Sequence, residues 1–347
     1  MTPTVRGACL PAIDNGYNYF AKRKERNSLK RVKNQVKNQR TLPGTIPLRK
    51  KLYNQRWLFL MLLVPVIWYV IFCYIPMGGL ILAFKDYKFS KGIFGSDWVG
   101  LKNFRDLFSD YYFPLIVRNT VVTSLLKIIF GFPAPIILAL MINELISTKL
   151  KRVVQTISYL PYFVSWVVVI GMLRLMLSVD GGVINRFLMA IGILDQPISF
   201  MQRSEFIWPI AVISDIWKNV GWNTIIYLAA ITSIDPEMYE AAVLDGAGRF
   251  RRIWSITLPA IRGTIVILFL MNLGSLFTSN FDQMYMLNVG SVGDVAETID
   301  TYIYNFGVKQ LNYGIGTALN IVRMVVAFLF VSGGNWLAKK SGEGGIW

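Results

Sequence analysis

Six long apolar stretches, at about residues 57–83, 116–142, 156–177, 207–232, 263–281 and 318–338, leave this chain few folds to choose from. As a helix rising about 1.5 Å per residue, each can cross a hydrocarbon layer of roughly 30 Å. In lipid the helix is the only open-chain structure that satisfies its own backbone N–H and C=O groups. The expected fold is therefore an all-α integral membrane protein with six transmembrane helices. A content of 54% hydrophobic residues over 347 positions, with mean hydropathy +0.46, is likewise too apolar for a soluble globule.

The connecting segments set the orientation. Lys149-Leu150-Lys151-Arg152, then Arg249, Arg251, Arg252 and Arg262, and finally Lys339-Lys340 fall on one side, together with a basic tail over residues 1–56. By the positive-inside rule both termini are cytoplasmic. Fourteen of the thirty-six Lys and Arg precede Trp57, so the net charge of +16 reflects cations gathered at a membrane surface and not a nucleic-acid-binding domain. Residues 19–40 read either as a basic helix lying on anionic lipid or as a solvated tail. The first ten residues lack the apolar core of a signal peptide. Residues 84–115, a mixed-charge loop rich in aromatics, read as a folded external cap between the first span and a core of five spans over 116–340; residues 341–347 form a short C-terminal tail.

Several chemistries are excluded. The chain has no histidine, which removes Ser-His-Asp catalysis and His-ligated zinc, and Cys9 and Cys73 are too few and too differently placed for a disulfide framework or a metal site. No Gly-x-x-x-x-Gly-Lys-Ser/Thr loop occurs, so any ATP hydrolysis must belong to a partner.

Between the fourth and fifth apolar stretches lies a polar insert at 236–259. Asp235 can N-cap a helix that starts at Pro236, whose missing N–H costs nothing in a first turn. That helix is predicted to run to Asp245 and to end at Gly246 in a left-handed conformation, and a second short helix is predicted to continue until Pro259 stops it. The insert reads Glu240-Ala241-Ala242, three residues, Gly246, nine residues, Ile256, one residue, Leu258-Pro259. It resembles, spacing for spacing, the Glu-Ala-Ala ("EAA") loop of permease subunits in ATP-driven, binding-protein-dependent importers; Gly263 departs from the proline many relatives carry there.

Leu82-Ala83-Phe84-Lys85-Asp86-Tyr87, Trp98-Val99-Gly100-Leu101-Lys102-Asn103-Phe104 and Tyr159-Leu160-Pro161-Tyr162-Phe163-Val164-Ser165-Trp166-Val167 are similar to permeases for oligosaccharides cut from polysaccharides. The likeness extends over about 57–340. It implies a type I ABC importer permease fold in the bacterial cytoplasmic membrane, with spans two to six as core and the first span wrapping a partner. It also implies cytoplasmic coupling helices that dock on an ATPase through Glu240, Ala241, Ala242, Asp245, Gly246, Arg249, Ile256, Leu258 and Pro259. The implied partners are a second homologous permease, two ATP-binding subunits that hold ATP and Mg, and an external solute-binding protein. This chain would bind no cofactor or metal itself.

Polar and aromatic residues inside spans are costly in lipid and usually face a cavity or the bundle interior. The candidates for sugar contact are Asp215, Trp217, Lys218, Asn219, Trp222 and Asn223 in span four, and Asn272, Ser275 and Asn280 in span five. Structural roles compete: Asp215 and Lys218 stand one helical turn apart and can pair, Trp can anchor at the interface, and Asn or Ser can bond between helices. Arg118, Lys127, Arg174 and Arg323 would suit an acidic sugar, and charges near span ends equally snorkel. A self-sufficient secondary transporter or channel is the alternative, with Phe132-Pro133-Ala134-Pro135 as its broken helix, although no inverted repeat or intramembrane carboxylate pair supports it. A membrane scaffold with a nucleic-acid-binding tail lacks the fold it would need.

Overall fold

The computed structural model describes residues 54–278, 280–340, 342 and 345, and its contacts divide the chain after Pro76 into two units. The basic tail, the candidate lipid-surface helix at 19–40 and most of 341–347 fall outside the described residues. In the first unit, α1 (Arg56–Tyr69) leads into a π turn over Val70–Tyr74, and none of these residues is buried. A helix apolar on every side suits a lipid or protein surround.

The second unit opens with the cap. Strand β1 (Lys85–Asp86) pairs antiparallel with β2 (Asp97–Trp98), a ribbon that the all-α expectation did not include. Inside it Lys85 donates to the carbonyls of Ile93 and Phe94 at 2.8 and 3.3 Å, and Asn103 donates to those of Ala83 and Lys85. Lys91 donates to Asp97 at 3.0 Å and holds its carboxyl below the usual range. Helix α2 (Lys102–Ser109) completes the cap.

All six apolar stretches become helical, but not as six straight rods. By length and apolarity Arg56–Phe84, Tyr112–Asn143 and Tyr313–Lys340 can each cross a membrane unbroken. The second of these is α3 (Tyr112–Leu126) and α4 (Pro133–Asn143) joined by a π turn at Lys127–Gly131, which absorbs the register change ahead of Pro133.

The third stretch is bent by 98° between α5 (Thr148–Tyr159), with its 3-10 extension to Phe163, and α6 (Trp166–Met176). Pro161 cannot donate to the ladder, and Ser165, in an extended conformation, starts a new helix by accepting from Val168 N at 3.4 Å. Within α7 (Val183–Ala190), buried Asn185 ties together the segments on both sides of the helix by bonding to Ser178 O and to both backbone groups of Ile198.

Helix α8 (Ser204–Thr232) is 29 residues long, about 43 Å at the usual helical rise. Its two ends are apolar and buried. Ile207 and Ala211 pack with Trp166 and Ile170 of α6 and with Met284 and Leu287; Tyr227, Leu228 and Ile231 pack with Ala139 and Ile142 of α4 and with Ile261. Its middle is polar.

Helix α9 (Pro236–Leu244) and α10 (Arg249–Arg252) form the insert. Helical turns then continue past Pro259 to Ala260, and a 64° bend at Ile261 leads into α11 (Arg262–Gly274). Pro259 therefore does not stop the second helix. The π turn Ile253–Thr257 resets the ladder ahead of it, so its missing N–H falls in the first turn of a new segment. The fifth span also ends at Gly274 instead of 281. Asn280 N-caps a separate helix, α12 (Phe281–Leu287), by accepting from Gln283 N at 3.3 Å. Beyond α13 (Ile299–Tyr302), α14 (Tyr313–Lys340) closes the fold against the cap: Ala318 and Leu319 pack with Ala83, Leu107 and Ile116.

Candidate functional site

Residues four apart on a helix share a face. On α8 this rule sets Asp215, Asn219 and Asn223 in one row, and the row lines a cavity of about 390 Å³ midway along the helix. Opposite it stand Asn272 of α11 and, beyond that helix, Ser275, Thr278 and Asn280; Ser124, Lys127, Gly131 and Phe132 close a third side. Six of the nine sugar-contact candidates thus meet in one place: Asp215, Asn219, Asn223, Asn272, Ser275 and Asn280.

The other three lie elsewhere. Trp217 is 45% exposed on the far face of α8, and Trp222 stacks on Tyr162 with ring centroids 4.5 Å apart. Lys218 is buried and donates to the carbonyls of Tyr162 and Val164, at 2.6 Å each. These carbonyls are ones that the break in the third span strips of helical donors. The side chain thus seals a broken helix.

Lys218 does not pair with Asp215. The partner of Asp215 is Lys127, at 3.4 Å, and Lys127 also donates to Gln283 Oε1 at 2.6 Å. Gln283 in turn donates to Ala211 O and Ser214 Oγ at 2.7 and 2.8 Å. One polar network therefore ties α8, the π turn after α3 and α12 together beside the cavity. Ser124, Thr278 and Gln283 belong to this site without having been singled out; each stands next to another polar residue, Thr123, Ser279 and Asp282, and such short polar pairs at the edge of an apolar stretch are the only signal they give. Among the described residues the side chains of Asn219 and Asn223 bond to no protein group, and both amides face the cavity free.

Of the other cations, Arg118 donates to Asn119 Oδ1 and Asp294 O, Arg174 donates to Met286 O, and Arg323 binds Asp300 and Asn320. None of these three lines the central cavity.

At the Thr232 end of α8 sits the hairpin. Asp235 Oδ1 accepts from Glu237 N at 3.0 Å and Pro236 takes the first helical position. The helix ends at Leu244 with Asp245 as its cap residue. Gly246 has φ +74°, its N–H reaches Val243 O at 3.0 Å, and Ala247 N reaches Ala242 O at 2.8 Å. This pair of reverse bonds is a Schellman motif. Tyr239 and Thr257 hydroxyls meet at 2.9 Å and brace the two halves, with Ile256 and Leu258 half-buried behind them. Arg249 reaches Glu144, at 3.8 Å, from a groove that Glu240 also lines. Ala241 is exposed and Ala242 half-buried, and apolar side chains the spacing argument passed over are left in the open: Leu244 is 88% exposed, Phe250 80% and Trp254 71%. Large apolar side chains left exposed on a polar insert suit a contact surface.

The sequence profile of the binding-protein-dependent transport system inner membrane component family matches residues 131–341. The chain is 43% identical over 297 residues to the polygalacturonan/rhamnogalacturonan transport system permease protein YteP of Bacillus subtilis (strain 168), covering 86% of this chain and 92% of that protein. It is 41% identical to protein LplB of the same organism, over 85% and 92% of the two chains. Among solved structures it is similar to a chain of a bacterial ABC transporter involved in the import of the acidic polysaccharide alginate, with 40% identity and a TM-score of 0.78 over 84% of this chain and 98% of that one. The bacterial alginate ABC transporter in complex with alginate pentasaccharide-bound periplasmic protein matches at 40% identity and a TM-score of 0.79, over 86% and 99%.

Proposed function

The chain belongs to the inner membrane components of binding-protein-dependent transport systems, and from that membership we propose that it imports an acidic, polysaccharide-derived oligosaccharide into the cell by alternating access. It is a sugar-type ABC transporter permease of type I fold, a subunit without an ATPase site of its own. The observation that carries the finer reading is the continuity of α8. Its polar middle borders the cavity and its Thr232 end leads directly into the exposed hairpin, so one rigid element connects a sugar-sized site to a docking surface.

The amides of Asn219, Asn223 and Asn272 suit sugar hydroxyls, and half-buried Phe132 adds an aromatic ring to the same cavity. The hairpin 236–259, through Glu240, Ala241, Ala242, Asp245, Gly246, Arg249, Ile256, Leu258 and Pro259, would seat on a separate ATPase that holds ATP and Mg. When two such ATPases close on ATP, the seated hairpins approach each other. Because the Schellman turn and the Tyr239–Thr257 bond make the hairpin stiff, α8 and α11 would turn with it and change which side of the cavity is open. A second permease supplies the facing wall and an external solute-binding protein delivers the sugar. Both termini and the hairpin lie on the cytoplasmic side in this scheme, with 116–340 as core and 84–115 as external cap.

The test is uptake of labelled short oligogalacturonates and alginate oligomers into proteoliposomes that hold the complete complex. Accumulation that requires both ATP inside and the receptor outside is expected. Uptake by this chain alone would establish a self-sufficient carrier instead, and uptake restricted to neutral oligosaccharides would remove the acidic substrate.

A further inference from the structure

A second polar cavity, of about 360 Å³, lies beside the C-terminal end of α12; Arg174, Tyr285, Met286, Asn288, Asn305 and Lys309 line it. It sits toward the Ser204 end of α8, where Ser204 bonds to Asp294 and Trp208 Nε1 to Val295 O, and so at the opposite end of that helix from the hairpin. Arg174 and Lys309 are both exposed, and among the described residues neither ion-pairs with a carboxylate, unlike Lys127 with Asp215 and Arg323 with Asp300. Arg174 donates to Met286 O at 2.6 Å, a bond that occupies one of its five N–H groups. Lys309 donates to Tyr285 Oη at 2.8 Å and keeps two N–H groups for another acceptor.

The setting is rigid. Lys309 Nζ lies 5.0 Å from the ring centroids of both Tyr285 and Tyr304, and Tyr285 stacks on Phe281 with centroids 5.2 Å apart. The hydrogen bond to Tyr285 holds the ammonium above its usual range, so it stays charged through neutral pH. The amides of Asn288 and Asn305 each donate to Glu297, which fixes them and leaves each an oxygen to accept from a hydroxyl. Two oriented amides and cations that pair with no carboxylate are what a uronate requires: acceptors for its hydroxyls and charge for its carboxylate. Furthermore, the α12 segment borders both cavities. Asn280 and the Lys127 partner Gln283 lie at its start and Tyr285 to Asn288 at its end, about 8–12 Å beyond Asn280 at the usual rise.

We propose that this cavity is a second sugar subsite, in which Arg174 and Lys309 bind the carboxylate of a uronate unit and hand the chain along α12 to the central cavity. The proposal rests on the acidic-oligosaccharide reading above. The test measures oligogalacturonate uptake by the complete complex carrying Arg174→Gln or Lys309→Gln, beside the charge-keeping Arg174→Lys and Lys309→Arg and with ATPase activity recorded as a check of assembly. Each glutamine variant should transport about tenfold more slowly, in line with loss of a charge-assisted hydrogen bond, and each charge-keeping variant should regain most of the rate. Wild-type rates in the glutamine variants, or equal losses in both kinds of variant, would overturn the subsite and leave the substrate reading standing. No uronate uptake by the unaltered complex would overturn the substrate reading and the subsite with it. Should the glutamine variants fail to assemble, Lys309→Glu against Lys309→Arg at the same exposed position decides: the glutamate must repel the uronate and slow uptake well below the arginine variant, and equal rates would overturn the subsite.

Discussion

At Gly246 the backbone alone sets the requirement. Its φ is +74° and a Cβ built there meets no atom within 4 Å, so the cost of a side chain is conformational, about 1–2 kcal/mol for an ordinary residue and more for a branched one. Gly246→Val should therefore leave the protein inserted and the ATPase active while uptake falls several-fold; uptake at the wild-type rate would reject the turn as a rigid link. Lys127 and Asp215 make a second case. Both are largely enclosed, and removal of one leaves the other charge without its partner. Lys127→Met and Asp215→Asn should each lower stability in detergent by about 1–3 kcal/mol, while the double variant regains much of the loss. Strictly additive melting temperatures would show that the pair does not interact. The spacing of Asp215 and Lys218 made them look like partners. Reach along one helix says nothing of the neighbours: the turn after α3 offers Lys127 to Asp215, and the break between α5 and α6 offers two bare carbonyls to Lys218.

Among the elements, α8 is the one on which the others depend, and its closest approach is at Gly221. A Cβ there would stand 1.9 Å from Ser158 O of α5, so Gly221→Ala must push the two helices apart and draw Lys218 off the carbonyls of Tyr162 and Val164. A loss of about 1–3 kcal/mol is expected, read as a lower melting temperature of the purified complex; an unchanged value would mean the contact relaxes freely. The hairpin makes a prediction of the opposite kind. Leu244 is 88% exposed and Ala242 half-buried at its surface, so Ala242→Arg or Leu244→Asp should leave the amount of permease unchanged and strip the ATPase from it on purification. Full retention would place the docking surface elsewhere. The hairpin was legible in the sequence because a capping Asp, a first-turn Pro and a left-handed Gly act through bonds two to five residues long. The bends at Val164 and Ile261 were not. Pro161 and Pro259 are visible breakers, but their effect depends on which helix or ammonium takes up the orphaned carbonyls.

For the molecule as a whole, the composition of the complex is the decisive quantity. Intact mass in mild detergent should show one copy of this chain, one copy of a different permease and two ATPase copies; an active homo-oligomer would contradict the scheme. The six apolar stretches, the hairpin and its Glu-Ala-Ala spacing were determined by the sequence itself, because hydrocarbon forces every long apolar segment to satisfy its backbone locally as helix and because caps and turns are short-range. Which face of α8 borders the cavity, why Lys218 is structural and Asn219 is not, and how Arg174 comes beside Lys309 were decided only by the tertiary fold. Those outcomes depend on the rotation of each helix about its axis and on contacts between residues from 54 to 112 positions apart, and no local periodicity encodes either.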